Sequence, residues 1–320
     1  MTEPAKVVAI EEHFWTPDLR TEAMVGVPPH TQPHWYAGLS DLSERRLKEM
    51  DEARIDMQVI SHAPPGAQTA TAERSVVLAR QANDMLHEAV LAHPRRFAGF
   101  AILPTPDPKA AADELERTVT QYGFKGAMIH GLTHGSFTDE KRFWCIYERA
   151  AALDVPIYIH PAMPHPAVIE AYFKDYPTMI GAGLGFTFET AAHAIRLSIC
   201  GLFDAYPKLR IILGHMGEGL PFLLWRCDMA LSRDKGLKRK FQEYFREHFY
   251  ITTSGNFSYP ALACVAAEMS TDRILFAVDW PYASNREGRD FIDHAPTVAT
   301  RQGKDFEAQR RRAAAALTHA

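Results

Sequence analysis

The chain of 320 residues is 47% apolar and 23% charged with a net charge of −4, a balance that suits one large α/β domain or two ordinary ones. It has no basic stripe to meet nucleic acid and no apolar run near the ~18 residues of a membrane span, so neither partner is expected. Its four cysteines (Cys145, Cys200, Cys227, Cys264) are scattered, with no C-x-x-C pair. That argues against a zinc finger and for reduced thiols; with no apolar leader after Met1, the cytoplasm is the expected compartment.

Short β-branched or apolar runs alternate with longer helical patterns along the whole chain. Strand Lys6–His13 is followed by an irregular Pro- and His-rich segment, Val25–Gly38, and a helix over Leu42–Ile55. Strand Asp56–His62 leads to helix Thr71–Ala92, which His93-Pro94 closes. Next come strand Phe97–Leu103, helix Pro108–Tyr122 and strand Gly126–His130. Helix Asp139–Asp154, with Asp139 as its N-cap, precedes strand Pro156–His160. Helix Thr187–Ala205, closed by Tyr206-Pro207, leads to strand Arg210–His215 and helix Gly219–Ser232. Strand Tyr250–Ser254, helix Tyr259–Ser270 and strand Ile274–Trp280 complete the series, and Ser284 is placed to cap a further helix.

Eight strands alternating with helices imply parallel pairing, and eight is the number that closes a (β/α)8 TIM barrel. A doubly wound open sheet would want a glycine-rich turn after the first strand, which here runs into Glu11-Glu12-His13 instead. Nothing marks a linker or an internal repeat. Residues 1–320 therefore read as a single barrel domain, with an insertion near 25–38 after the first strand.

Such barrels collect function at the C-terminal ends of their strands. Here six of those ends carry a histidine or a carboxylate: Glu11/His13, His62, His130, His160, His215 and Asp279. Glu11 and His13 are two apart, so on a strand they share a face, while Glu12 points to the helices. Glu11, His13, His160 and Asp279 together offer two imidazoles and two carboxylates, a set that neutralises one divalent cation and suits Zn²⁺ or Mn²⁺. In Gly214-His215-Met216-Gly217-Glu218-Gly219 the glycines permit a tight turn, from which Glu218 can fold back to orient His215 or else cap the following helix. Arg196 is read as structural, pairing with Glu189 or Asp204, and His193 as packed.

Five blocks carry a resemblance: Ile10-Glu11-Glu12-His13-Phe14, Tyr158-Ile159-His160-Pro161, Ile212 through Glu218, Thr252 through Phe257, and Asp272 through Pro281. Together they resemble the decarboxylase branch of the amidohydrolase superfamily, typified by γ-resorcylate and dihydroxybenzoate decarboxylases. The resemblance implies an amidohydrolase-like barrel with one divalent ion on Glu11, His13, His160 and Asp279, and no organic cofactor. It implies loss of CO₂ from a small aromatic acid with an ortho hydroxyl, after protonation of the ring. Asp279 is then the expected acid, with a pKa raised in a dry pocket, and His215 with Glu218 its partners. Phe14, Trp15, Phe186, Phe188, Trp280 and Tyr282 are expected to hold the ring, and His62 and His130 to read its substituents. By analogy the chain forms a homo-oligomer, a dimer or tetramer, and Arg226 is a partner-subunit contact or a surface ion pair. The alternative is a metal-dependent hydrolase of an ester, lactone or amide on the same barrel.

Overall fold

A computed structural model describes residues 6–19, 33–233 and 236–296. The strands are β1 (Val8–Phe14), β2 (Met57–His62), β3 (Phe97–Gly99), β4 (Ala101–Ile102), β5 (Ala127–His130), β6 (Ile157–His160), β7 (Ile211–Leu213), β8 (Phe249–Thr252) and β9 (Ile274–Leu275). Every neighbouring pair is parallel. β3 and β4 are two pieces of one stave broken at Phe100, whose amide still donates to Ile60 O at 2.9 Å. Beyond β9 the chain loses regular strand form yet continues alongside β1. Ile10 N donates to Phe276 O (3.2 Å), Asp279 N to Glu11 O (2.9 Å) and His13 N to Trp280 O (2.7 Å), which closes the barrel at this seam.

Alternation along the staves sorts their side chains into two layers. Val8, Ile10, Val59, Ala98, Phe100, Met128, Tyr158, Ile212 and Ala277 pack together in the barrel interior. Ala9, Ile60, Ile129, Ile159, Leu213, Ile251 and Val278 pack outward against helix residues such as Met50, Leu78, Leu115 and Leu197. One step further along the inward rows come Ser61, His130, His160, Gly214 and Asp279. β1 breaks the alternation: Ala9 pairs with Gln58 but Glu12 with Ile60, so β1 carries one extra residue. This bulge turns Glu11 into the same interior as Ile10, and His13 follows it.

Glu12 faces the other way and braces the seam. Its carboxylate accepts from Val278 N (3.0 Å), Trp280 N (3.1 Å) and Gln58 Nε2 (3.4 Å). Burial drives its pKa well up, against the backbone donors and Arg46. The fully buried Arg46 donates to Gln58 Oε1 (3.1 Å), Asp41 O (2.9 Å) and His13 O (2.5 Å), and its guanidinium lies 4.2 Å over the Trp280 ring.

Several elements differ from expectation. The expected helix from Asp139 begins only at Trp144, after a short 3-10 turn, and Asp139 instead pairs with Arg196 (2.8 Å). That ion pair replaces the expected partners Glu189 and Asp204. The helix over Thr187–Ala205 is two, Gly185–Ile199 and Leu202–Ala205, separated at Gly201 with φ +88°. Residues 25–32 of the expected insertion lie outside the described residues, but Pro33–Leu39 is a helix. A helix at Phe241–His248 went unread, whereas Ser284 caps Asn285–Asp293 as expected. Among the described residues no helix is long and apolar enough to cross a membrane.

Arg46→Ala should therefore lower stability by about 3 kcal/mol, because it strips a buried charge network of its cation. Denaturant unfolding measures this, with Lys48→Ala, which removes only the exposed Lys48–Glu52 pair, changing stability by less than about 0.5 kcal/mol.

Candidate metal centre and its surroundings

The inward rows bring four side chains to one point at the top of the barrel. Glu11, His13, His160 and Asp279 each offer one ligand atom, and these atoms lie within 4.8 Å of one another. His13 Nε2 is 3.2 Å from Asp279 Oδ1, and His160 Nε2 is 3.2 Å from Glu11 Oε1. All four atoms are buried, with only one another and the neighbouring imidazole of His215 close by and no other group to satisfy them. Buried polar atoms left unpaired are costly, and four of them converging is the pattern of a coordination site. The donor set of two nitrogens and two carboxylate oxygens fits a single divalent cation.

The remaining polar atoms of these ligands are held from behind. His160 Nδ1 donates to Pro161 O (2.7 Å), and His13 Nδ1 meets Ser61 Oγ (3.3 Å), which leaves each Nε2 toward the cluster. Glu11 Oε2 accepts from the Tyr158 hydroxyl and from Thr252 Oγ1 (3.1 Å). Two glycines make room. A Cβ on Gly214 would stand 3.0 Å from Glu11 Oε2, and one on Gly255 (φ +57°) 3.0 Å from Asp279 Oδ2.

After β7 the chain makes a left-handed turn. His215, Met216, Gly217, Glu218 and Gly219 all have positive φ, between 52° and 77°. In this turn the His215 Nδ1 reaches Glu218 Oε1 at 2.8 Å, and Glu218 Oε2 accepts from Thr187 Oγ1 at 3.0 Å. His215 Nε2 lies 3.6 Å from both Glu11 Oε1 and Asp279 Oδ2. Glu218 thus orients the ring instead of capping the helix.

Electrostatics corrects one expectation. Burial alone would raise the Asp279 pKa, but hydrogen bonds and charge from His13 and His215 outweigh it and hold Asp279 below the ordinary carboxylate range. A bound cation would push in the same direction. Burial disfavours the His215 imidazolium, yet Glu218, Glu11 and Asp279 together raise its pKa well above 6.5. Both shifts run against the raised Asp279 pKa expected from the sequence and favour His215 as the protonated partner. Glu11 is also held low, burial being overcome by His215 and His160.

The other expected residues divide by strand parity. His62 belongs to the outward row: Nδ1 donates to Ala63 O (2.7 Å), Nε2 accepts from Thr16 N (3.2 Å), and burial lowers its pKa to about 4. The stave's inward residue is Ser61. Phe14 packs on His62 within the outer core, and Trp280 donates to Glu49 Oε2 (2.6 Å) on the helix side, so neither faces the cluster. His130 is inward but only 1% exposed, its ring against His160. Phe188 is 60% exposed and Phe186 half-buried on helix Gly185–Ile199. Tyr282 does approach, its ring 5.6 Å from that of His13. Trp15 stacks edge-on with Tyr36, and Trp35 with Tyr282 (5.3 Å), so the helix Pro33–Leu39 adds an aromatic wall that the sequence reading missed. His193 is packed, bonding Thr138 Oγ1 at 2.7 Å with its pKa lowered to about 3 by burial, and Arg226 is exposed.

Comparison with known proteins bears on this geometry. The family profile described as Amidohydrolase matches residues 10–315. The γ-resorcylate decarboxylase of Polaromonas sp. (strain JS666) is 41% identical over 300 residues, 90% of each chain. That of Rhodococcus jostii is 39% identical over 306 residues, covering 90% of this chain and 92% of its own. The crystal structure of a 2,6-dihydroxybenzoate decarboxylase complexed with 2,6-dihydroxybenzoate superposes with a TM-score of 0.90 at 36% identity, over 99% of this chain and 100% of that one. A dihydroxybenzoic acid decarboxylase from Polaromonas sp. JS666, with bound manganese and the inhibitor 2-nitroresorcinol, gives 0.90 at 38% identity, over 99% and 96%.

Elemental analysis of gently purified protein should find about one divalent ion per chain. Glu11→Gln should weaken its retention against a chelator by roughly tenfold or more, whereas Glu12→Gln should cost stability and leave the stoichiometry at one. Two ions per chain would overturn the single-metal reading, and equal loss in both variants would contradict the parity of β1.

Proposed function

The chain belongs to the amidohydrolase family, in its decarboxylase branch, and on that footing we propose that it removes CO₂ from an ortho-hydroxylated aromatic carboxylic acid of the dihydroxybenzoate kind. The observation that carries the proposal is the convergence of four unpartnered ligand atoms beside a His215–Asp279 pair. Zn²⁺ and Mn²⁺ both suit the donor set, and the manganese of the Polaromonas structure favours Mn²⁺. Bound among Glu11, His13, His160 and Asp279, a divalent ion supplies a Lewis acid for the hydroxyl and carboxylate oxygens of the substrate.

The chain's own residues manage the proton. His215, held by Glu218 on Nδ1, stores it on Nε2, 3.6 Å from Asp279 Oδ2. Asp279 takes that proton from His215 and passes it to the carboxyl-bearing ring carbon. The new C–H bond draws its electrons from the ring, and the ring recovers them when the bond to the carboxyl group breaks and CO₂ leaves. Tyr282, whose ring lies 5.6 Å from that of His13, and Trp35, which packs on Tyr282, are the side chains we assign to flank the substrate ring. Burial around Asp279 keeps bulk water from competing for the proton.

Purified holoenzyme offered a panel of hydroxybenzoates should release CO₂ from an ortho-hydroxylated member, and Asp279→Asn should reduce the rate by about 10³-fold or more. Acid product from esters or lactones without CO₂ release would favour a hydrolase instead. The donating form of His215 exists below its raised pKa, so kcat/KM should fall as pH rises through that value. Glu218→Gln removes one raising charge and should move this alkaline limb to lower pH, read from the pH profile.

A further inference from the structure

We propose that His130 is a positioning residue for the metal site: its Nδ1 accepts the Nδ1–H of His160 and holds that ring with its Nε2 lone pair in the ligand cluster. The inference rests on the metal-site reading alone and is independent of the reaction catalysed. His130 and His160 are register partners on β5 and β6, their Nδ1 atoms are 3.2 Å apart, and their rings meet edge to face at 5.0 Å.

The direction of the hydrogen bond follows from the third atom present. His160 Nδ1 also lies 2.7 Å from Pro161 O, and a carbonyl oxygen only accepts. His160 Nδ1 must therefore carry the proton, shared between Pro161 O and His130 in a three-centre bond. His130 Nδ1 must present a lone pair, which places the proton of His130 on Nε2. Were the His130 proton on Nδ1, two N–H groups would face each other in a buried space. His160 left with its proton on Nε2 would point a donor, not a lone pair, at the ligand cluster.

The surroundings fix His130 firmly enough for this task. Gln68 Oε1 accepts from its backbone amide, and Gly131 N donates to His160 O at 2.9 Å, tying the two strand ends together. A Cβ on Gly66 would lie 3.1 Å from His130 Cδ2 and 3.3 Å from Ile102 Cδ1, so the loop is closed down on the ring. Ligand histidines usually lean on a carbonyl or a carboxylate, and His160 leans on Pro161 O in this way. The neutral His130 imidazole adds a second acceptor that braces the ring without adding negative charge to a cluster that already holds two carboxylates.

The test titrates Mn²⁺ into chelator-stripped protein by calorimetry. His130→Phe keeps a ring of similar breadth but loses the acceptor, and should weaken Mn²⁺ binding by roughly 10- to 100-fold; His130→Asn, whose Oδ1 can take the place of Nδ1, should stay within about threefold of the parent. Parent-like affinity in His130→Phe would overturn the proposal. So would Asn binding as weakly as Phe, since packing and not the acceptor would then matter. Should His130→Phe fail to fold, nitrogen NMR of the metal-free parent decides, with His160 protonated on Nδ1 and His130 on Nε2 as the expected result. A proton on His160 Nε2 would refute it. Parent protein that binds Mn²⁺ yet decarboxylates nothing would count against the proposed reaction and leave this inference standing.

Discussion

The barrel closes where its negative charge is concentrated, and much of the structure answers to that coincidence. The Asp279 amide donates to the Glu11 carbonyl at the β1 seam, while the two side chains turn inward as half of the ligand set. Burying two carboxylates in the interior is unfavourable unless each oxygen is satisfied. Tyr158 and Thr252 satisfy Glu11 Oε2 from behind, but Glu11 Oε1 and Asp279 Oδ1 have only the imidazoles nearby. The next residue, Glu12, sends its carboxylate to the outer side and accepts from the amides on both sides of Asp279. One glutamate thus positions the seam and its neighbour uses the opening, so occupancy of the site and stability of the closure are coupled.

The backbone strain of the site has a purpose in this frame. His215, Met216, Glu218 and Asp279 all adopt left-handed φ, a conformation that costs of order 1–2 kcal/mol for a side-chain-bearing residue. It persists because neighbouring bonds pin it: Gly217 N to Gly214 O (2.7 Å), His215 N to Ser254 Oγ (3.3 Å) and Glu218 to Thr187. A right-handed helical start after β7 would carry His215 away from the barrel axis. The left-handed turn keeps it over the mouth and still allows Glu218 to fold beneath it.

The sequence revealed the architecture and the ligand quartet because both follow from simple periods. Strand–helix alternation survives every boundary shift, and the two-residue spacing of Glu11 and His13 places them together even across a bulge that no sequence pattern announces. Parity also explains the errors. His62 and Trp280 stand at strand ends, yet counting by twos from Val59 or Ala277 puts Ser61 and Asp279 inward and their neighbours outward. The aromatic wall of Trp35 and Tyr36 was hidden in a segment whose prolines and histidines mask a short helix. The direction of the Asp279 shift was beyond reach for another reason. Composition predicts burial, which raises a carboxyl pKa, but the opposing contributions of His13 and His215 depend on distances that only the fold supplies.

Charge balance also limits what such a pocket can admit. In the proposed reaction an aromatic acid arrives as an anion and meets Glu11, Asp279 and Glu218 within one small volume. At an effective dielectric constant near 20, a pair of unit charges 4 Å apart interacts by about 4 kcal/mol, enough to exclude the substrate from a pocket left uncompensated. Glu218 is already engaged by His215, with which it shares a 2.8 Å hydrogen bond. Glu11 and Asp279 remain, and a divalent cation is the partner that cancels both. The same ligand charges that make the site select a cation therefore make anion binding conditional on it. Affinity for the substrate and Lewis-acid chemistry are two consequences of one arrangement, and a mutation at Glu11 or Asp279 touches both.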